Sequence, residues 1–271
     1  MAANSSEKVT VRTFKNMRAA NRSITALTAY DFQFARLVDE AGVDMILVGD
    51  SLGMTMLGYE TTIPVTLADM LRHTAAVVRG VRRAMVIADM PFLTYHVSPE
   101  QALINAGRFL QEAGAGGVKL EGGRAIAGTI GKLTGAGIPV LGHIGILPQS
   151  VLKEGGYRVH GRSAEEAEAL LADARAVADA GAFAIVLEGL PASLAARITA
   201  ELTIPTIGIG AGPDCDGQIQ VMHDLLGLCQ EFIPKHAKRY AHLADTVKEA
   251  VSAYRRDVTD GLFPAEENTF I

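Results

Sequence analysis

The feature that most constrains the fold is a short unit that recurs along the chain. Glu112-Ala113-Gly114 leads into a run that ends at Glu121, and Asp179-Ala180-Gly181 leads into another that ends at Glu188, with seven residues from glycine to glutamate in both. Glu40-Ala41-Gly42 begins an earlier copy, one residue longer, which passes through Met45-Ile46-Leu47-Val48 to Asp50. Each unit reads as a helix end, a glycine able to take the left-handed closing conformation, a buried strand, and a carboxylate where the strand runs out. Helices alternating with buried strands call for a parallel sheet. The repeat therefore brings its carboxylates to one end of that sheet.

The rest of the chain fits the same alternation. Strand candidates cover 24–30, the run ending at Gly49-Asp50-Ser51, 84–88 ending at Asp89, 117–121, 138–142 ending at His143, 183–187 and 204–209. Helices are marked by Asp31 before an apolar-periodic stretch, by Thr66-x-x-Asp69, by Ser98-Pro99-Glu100-Gln101 and by Ser163-x-x-Glu166, each a cap signature. A helix is also expected near 125–134, another after Pro191, and an amphipathic one over 241–257; 218–226 is an eighth strand or a short helix. Residues 145–162 lack helical periodicity and carry Gly155-Gly156, which suggests a long excursion over the mouth. About eight β-then-α units favour a closed (β/α)8 TIM barrel, one domain over 1–271 with a short flexible N-terminal tail over about 1–10.

Composition sets the outer limits. With 271 residues and 49% hydrophobic content the chain can bury a large core. A net charge of −5 supplies no basic stripe for a nucleic-acid backbone. No apolar run reaches membrane-spanning length, and the polar start has no signal-peptide core, so a soluble, cytoplasmic protein is expected. Cys215 and Cys229 have no metal-ligand spacing and are expected as free thiols.

In a barrel of this kind the site lies at the carboxyl ends of the strands. That end carries Asp50, Ser51, Asp89, Lys119, Glu121, His143 and Glu188. In the strand over 117–121 the period of two points Lys119 and Glu121 to the same face. Each residue singly has a structural role open to it: helix or turn capping for Asp50-Ser51 and Asp89, a barrel ion pair for Lys119 with Glu121, a neutral core imidazole for His143, a counter-charge for Glu188. Their coincidence at one end favours a site. Gly208-x-Gly210-x-Gly212 lacks a following GK[ST] or ribose-binding acid and reads as a tight turn rather than a nucleotide loop. All-oxygen ligation suits a hard cation, Mg2+ in particular, and such an ion chelating a 2-oxo acid would stabilise the enolate formed when a proton leaves the next carbon. One carboxylate left off the ion then serves as base.

Leu47-Val48-Gly49-Asp50-Ser51-Leu52-Gly53-Met54, Ala88-Asp89-Met90-Pro91-Phe92, Val118-Lys119-Leu120-Glu121-Gly122-Gly123, Gly142-His143-Ile144-Gly145 with Pro148-Gln149-Ser150, and Gly208-Ile209-Gly210-Ala211-Gly212 with Asp216-Gly217-Gln218 resemble the ketopantoate hydroxymethyltransferase family. The resemblance runs in order from about Leu27 to Phe270. It implies a barrel of the phosphoenolpyruvate/pyruvate type that transfers a hydroxymethyl group from 5,10-methylenetetrahydrofolate to 3-methyl-2-oxobutanoate through a Mg2+-stabilised enolate, giving 2-dehydropantoate for pantothenate synthesis. By the same resemblance Asp50 and Asp89 are Mg2+ ligands, Glu121 is the third metal-site carboxylate, acting directly or through water, Ser51 and Lys119 hold the oxo acid, His143 is a polar contact, and Glu188 is the base. It also implies a homo-oligomer, a decamer. His236 departs from the pattern, which has an aromatic residue there. Two rivals remain: a Mg2+-dependent carbon–carbon lyase of the phosphoenolpyruvate mutase/isocitrate lyase type, for which neither cysteine has the required loop context, and a barrel that binds a 2-oxo acid without turnover.

Overall fold

The computed structural model describes residues 7–230 and 234–270. Its order is α1 (Val11–Ala19), β1 (Ile24–Thr28), α2 (Phe32–Glu40), β2 (Met45–Val48), α3 (Leu52–Thr55), α4 (Leu67–Gly80), β3 (Met85–Asp89), α5 (Pro99–Gln111), β4 (Gly117–Glu121), α6 (Ala127–Gly135), β5 (Val140–Gly145), α7 (Val151–Glu154), α8 (Ala164–Asp179), β6 (Ala184–Glu188), α9 (Ala192–Glu201), β7 (Thr206–Ile209), β8 (Gly217–Gln220), α10 (Met222–Leu226) and α11 (Leu243–Thr259). The strands close into an eight-stranded barrel in sequence order, β8 pairing back onto β1, and every pairing is parallel.

The repeated unit behaves as its residues dictate. Gly42, Gly114 and Gly181 all have positive φ, at +86°, +74° and +91°. A fourth copy, unremarked in the sequence, ends α6: Gly137 has φ +87° and leads into β5. The caps also form as their spacing requires: Asp31, Thr66, Ser98 and Ser163 each accept a bond from the backbone N–H three residues on. Such caps are worth about 1 kcal/mol each.

Inside the barrel, the period of two sorts the side chains into a floor and a rim. Met45 and Leu47, Met85 and Ile87, Leu141, Ala184 and Val186, Ile207 and Ile219 belong to one buried apolar cluster. From below, α1 closes this cluster with Phe14 and Met17, and Phe14 stacks on Phe183 at 5.8 Å. Two residues further along the same inward faces the chain changes from apolar to charged, at Asp89, Lys119, His143 and Glu188.

Strand ends shift slightly from the sequence reading. β5 begins and ends later than 138–142, so His143 lies within the strand and pairs in register with Glu121. The segment over 218–226 supplies both a strand and a helix. Residues 145–162 do contain a short 3-10 turn, Pro148–Ser150, and α7, with irregular chain beyond. Of the expected tail, residues 1–6 lie outside the described residues, whereas Val9 is buried and its N–H bonds to the Arg83 carbonyl. Contacts group the chain into a unit Met1–Val221, which holds the whole barrel, and a unit Met222–Ile271. In the second, α11 exposes Val247, Val251, Tyr254 and Val258 at helical spacing.

Candidate active site

At the carboxyl end of β3, β4, β5 and β6 the inward faces carry a row of charge. Parallel register sets Asp89 beside Lys119, Glu121 beside His143, and Gly145 beside Glu188. Lys119 Nζ lies 3.2 Å from Asp89 Oδ1, 3.6 Å from Glu121 Oε1 and 3.2 Å from His143 Nδ1. His143 Nε2 lies 3.2 Å from Glu188 Oε2. Asp50 joins from the turn after β2, where its N–H donates to Asp89 Oδ2 at 3.0 Å. Asp50, Asp89, Lys119, Glu121 and His143 are 2–5% exposed, whereas the Glu188 side chain retains 18% exposure.

The electrostatics follow from this burial. Burial raises the Asp50 pKa well above the usual range, and Asp89 and Glu121 add to the rise. Burial likewise raises Asp89, against the pull of Lys119. For Glu121 burial is outweighed by Lys119 and His143, so its carboxyl is held low. Burial opposes the charge on Lys119 as well, but three carboxylates outweigh it and its pKa is raised. Burial and Lys119 oppose a charge on His143, while contacts with Glu121 and Glu188 more than compensate. In the neutral ring the Lys119 ammonium donates to Nδ1, which assigns the ring proton to Nε2, facing Glu188.

Ser51 follows Asp50 at the head of α3. Its Oγ bonds the Tyr30 hydroxyl at 2.9 Å, and burial pushes the Tyr30 pKa up to about 12, so that phenol remains a neutral partner. Gly49 sits at an inward position but has no side chain. A Cβ there would lie 2.7 Å from Ser51 Oγ and 3.5 Å from Asp89 Oδ2, so any larger residue would have to displace the Ser51 hydroxyl.

The structure thus brings together all seven residues singled out in the sequence. It adds two more. Gln149, on the Pro148–Ser150 turn, donates to Asp50 Oδ2 and, through its backbone N–H, to Glu121 Oε2; Tyr95 supports Gln149 Oε1 at 2.8 Å. Neither stands at a strand end, so the barrel pattern gave no reason to single them out.

The donor set fits a hard divalent cation. Asp89 Oδ1 is buried and lacks a hydrogen-bond donor, although Lys119 is near. Among the described residues no three His, Cys, Asp or Glu side chains are grouped to hold an ion unaided. Mg2+ does not need three: it keeps several waters and is commonly held by one or two carboxylates, which Asp50 and Asp89 provide. Gly208 and Ile209 end β7, and the bend that follows is stapled by Gln218 Nε2 donating to the Gly212 carbonyl at 2.9 Å. Cys215 and Cys229 are free thiols, and neither has a contact with the charged row.

A closed parallel barrel with a buried polar site at the carboxyl ends of its strands defines an α/β-barrel enzyme. Solved structures share this architecture: that of 2,3-dimethylmalate lyase, described as a PEP mutase/isocitrate lyase superfamily member, aligns with TM-score 0.62 at 17% identity over 97% of this chain and 89% of its own. Phosphonopyruvate hydrolase, solved as a complex with oxalate and Mg++, aligns with TM-score 0.62 at 15% identity over 96% and 93%. At these identities the likeness speaks for the fold alone. The family model of ketopantoate hydroxymethyltransferase matches residues 8–266, and the chain belongs to that family. The 3-methyl-2-oxobutanoate hydroxymethyltransferase of Chloroflexus aurantiacus is 59% identical over 262 residues, 97% of this chain and 92% of its own. That of Geotalea daltonii is 54% identical over 261 residues, 96% and 98%.

Proposed function

We propose that this hydroxymethyltransferase carries a one-carbon unit from 5,10-methylenetetrahydrofolate to 3-methyl-2-oxobutanoate, giving 2-dehydropantoate, with Mg2+ held by Asp50 and Asp89 and reached by Glu121 through water. When bound, the cation would polarise the keto oxygen and offset the charge that develops there. Lys119 and Ser51 hold the oxo acid, and His143, whose Nε2 lies 3.2 Å from Glu188 Oε2, orients that carboxylate by charge. Glu188 takes the proton from C3, and the electron pair left behind forms the new bond to the folate-borne carbon. Both folate carbon–nitrogen bonds to that carbon break; one water supplies the hydroxyl of the product and one of the two protons the freed nitrogens need, the C3 proton held by Glu188 supplies the other, and a C3–H bond is exchanged for C3–CH2OH.

The observation that carries this reading is the graded exposure of the charged row. Five members are sealed, whereas Glu188 keeps an 18% exposed side chain, with one oxygen 3.2 Å from His143 Nε2, which leaves its carboxylate able to meet a substrate. The lyase reading has only fold likeness behind it, and burial pushes the thiols of both Cys215 and Cys229 up, away from easy ionisation. Self-association, to the decamer that the resemblance implies, draws support from the exposed apolar stripe on α11. Among the described residues no helix is long and apolar enough to cross a membrane. Free thiols fit the reducing cytoplasm.

The test follows the C3 hydrogen of 3-methyl-2-oxobutanoate by NMR in D2O, first with Mg2+ alone and then with the folate. Mg2+-dependent exchange that Glu188→Gln abolishes, with oxo-acid binding kept, is the expected result. Full exchange in Glu188→Gln would remove Glu188 as the base, and exchange undiminished by chelator would remove the cation.

A further inference from the structure

Gln149 is buried at the mouth, 4% exposed, and the chemistry above makes no use of it. Its side chain and its N–H are fully engaged. The backbone N–H donates to Glu121 Oε2 at 3.0 Å, Nε2 donates to Asp50 Oδ2 at 2.8 Å and to the Met90 carbonyl at 3.0 Å, and Oε1 accepts from the Tyr95 hydroxyl at 2.8 Å. The Met90 carbonyl can only accept, so it settles which end of the amide is nitrogen. A donor therefore faces Asp50.

The frame behind Gln149 stands without it. Tyr95 is buried at 1% exposure, and its oxygen lies 3.2 Å from both the N–H and the carbonyl of Glu121. Asp50, by contrast, lies past the end of β2, where no strand pleat directs its side chain. The turn that carries Gln149 borders a cavity of about 180 Å3 on another side, lined in part by Leu147, Ser150 and Glu154. Gln149's bonds to Asp50, Met90, Tyr95 and Glu121 tie that turn to the charged row.

We propose that Gln149 is the positioning residue of the cation site: its amide fixes one oxygen of Asp50 and its N–H fixes one oxygen of Glu121, so that the remaining oxygens are presented to the ion. The inference rests on the cation reading of the proposed function and extends it to the segment after β5. It couples the conformation of the Pro148–Ser150 turn to cation affinity through Asp50 and Glu121.

The experiment measures Mn2+ binding, with Mg2+ in competition and no substrate present, by electron paramagnetic resonance and calorimetry on the full chain. Gln149→Met keeps the side-chain volume and the N–H to Glu121 but removes the amide. Loss of an outer partner of this kind weakens metal binding by about 10–100-fold, and that is the expected result, with KM for Mg2+ in the exchange assay rising in parallel and kcat at saturating Mg2+ falling less. Unchanged Mn2+ affinity beside a lowered melting temperature would mean a merely structural role and overturn the inference. Should wild type bind no Mn2+, the cation reading itself fails, an outcome distinct from a wild type that binds and a variant that binds equally. Tyr95→Phe serves if Gln149→Met does not fold: it removes the donor to Oε1, and a smaller loss of affinity in the same direction is expected, whereas none would again overturn the inference.

Discussion

Replacing Lys119 by Met tests whether the charged row is held by its one ammonium. At an effective dielectric of about 20, unit charges 3.2 Å and 3.6 Å apart attract by about 5 kcal/mol each. Much of that gross attraction offsets the cost of burying Lys119, which is only 4% exposed. Removing one partner of a buried pair costs about 3–5 kcal/mol, because the other charges stay behind. In Lys119→Met, Asp50, Asp89 and Glu121 would share one dry end of the barrel without a cation. Burial and mutual repulsion then raise their folded-state pKa values above the unfolded ones. A group raised in this way contributes stability that is full below its unfolded pKa and is lost as pH rises through the folded one. The loss in Lys119→Met should therefore reach about 3–5 kcal/mol at pH 8 and shrink towards pH 5. Urea unfolding of both proteins at the two pH values, in chelator, measures this, and Lys119→Met/Asp89→Asn should recover part of the loss. Equal stability of variant and wild type at pH 8 would refute the electrostatic account of the row.

Asp50→Asn should stabilise the chelator-treated protein at pH 8, since burial raises Asp50 and its charged form is disfavoured in the fold. The gain should vanish near pH 4, below the range in which wild type loses stability, and urea melts with and without Mg2+ would show it. Gly49→Ala places a methyl 2.7 Å from Ser51 Oγ; overpacking of this kind costs about 1–3 kcal/mol, and calorimetry should show weaker oxo-acid binding, whereas unchanged binding would count against a role for the turn. Val251→Asp, on the exposed stripe of α11, should lower the mass seen by light scattering, and a wild type already of one-chain mass would set self-association aside.

Much of this was legible in the chain because barrel geometry converts order into place. Once Gly42, Gly114 and Gly181 are read as helix ends, the strands that follow have only one face to offer the interior, and the acid at each strand end can lie only at the mouth. Asp89, Lys119, Glu121, His143 and Glu188 obey that rule by parity alone. The limits of β5 were harder: Pro139 keeps the strand from starting before Val140, whereas Gly142 discourages a strand by local propensity and burial on both faces overrides it. Gln149 and Tyr95 lie in connections, where no period operates, and their partners are 99 and 26 residues away along the chain. Only the closed barrel brings those ends together.

The same parity explains why floor and rim can differ so sharply in chemistry. Leu141 and His143 occupy successive inward positions of one strand, as do Ile87 and Asp89, and Val186 and Glu188, so the change from apolar to charged takes about two residues, or roughly 7 Å of strand. The apolar layers below, closed by Phe14 and Met17 of α1, deny water to the row from beneath. Burial pushes Asp50 and Asp89 up, whereas for Glu121 it is outweighed by Lys119 together with His143 and the Gln149 N–H, so that carboxyl is held down. A floor cut open, for example by Phe14→Ala, should hydrate the row from below and relax those opposed displacements, leaving the residues in place and their chemistry weakened.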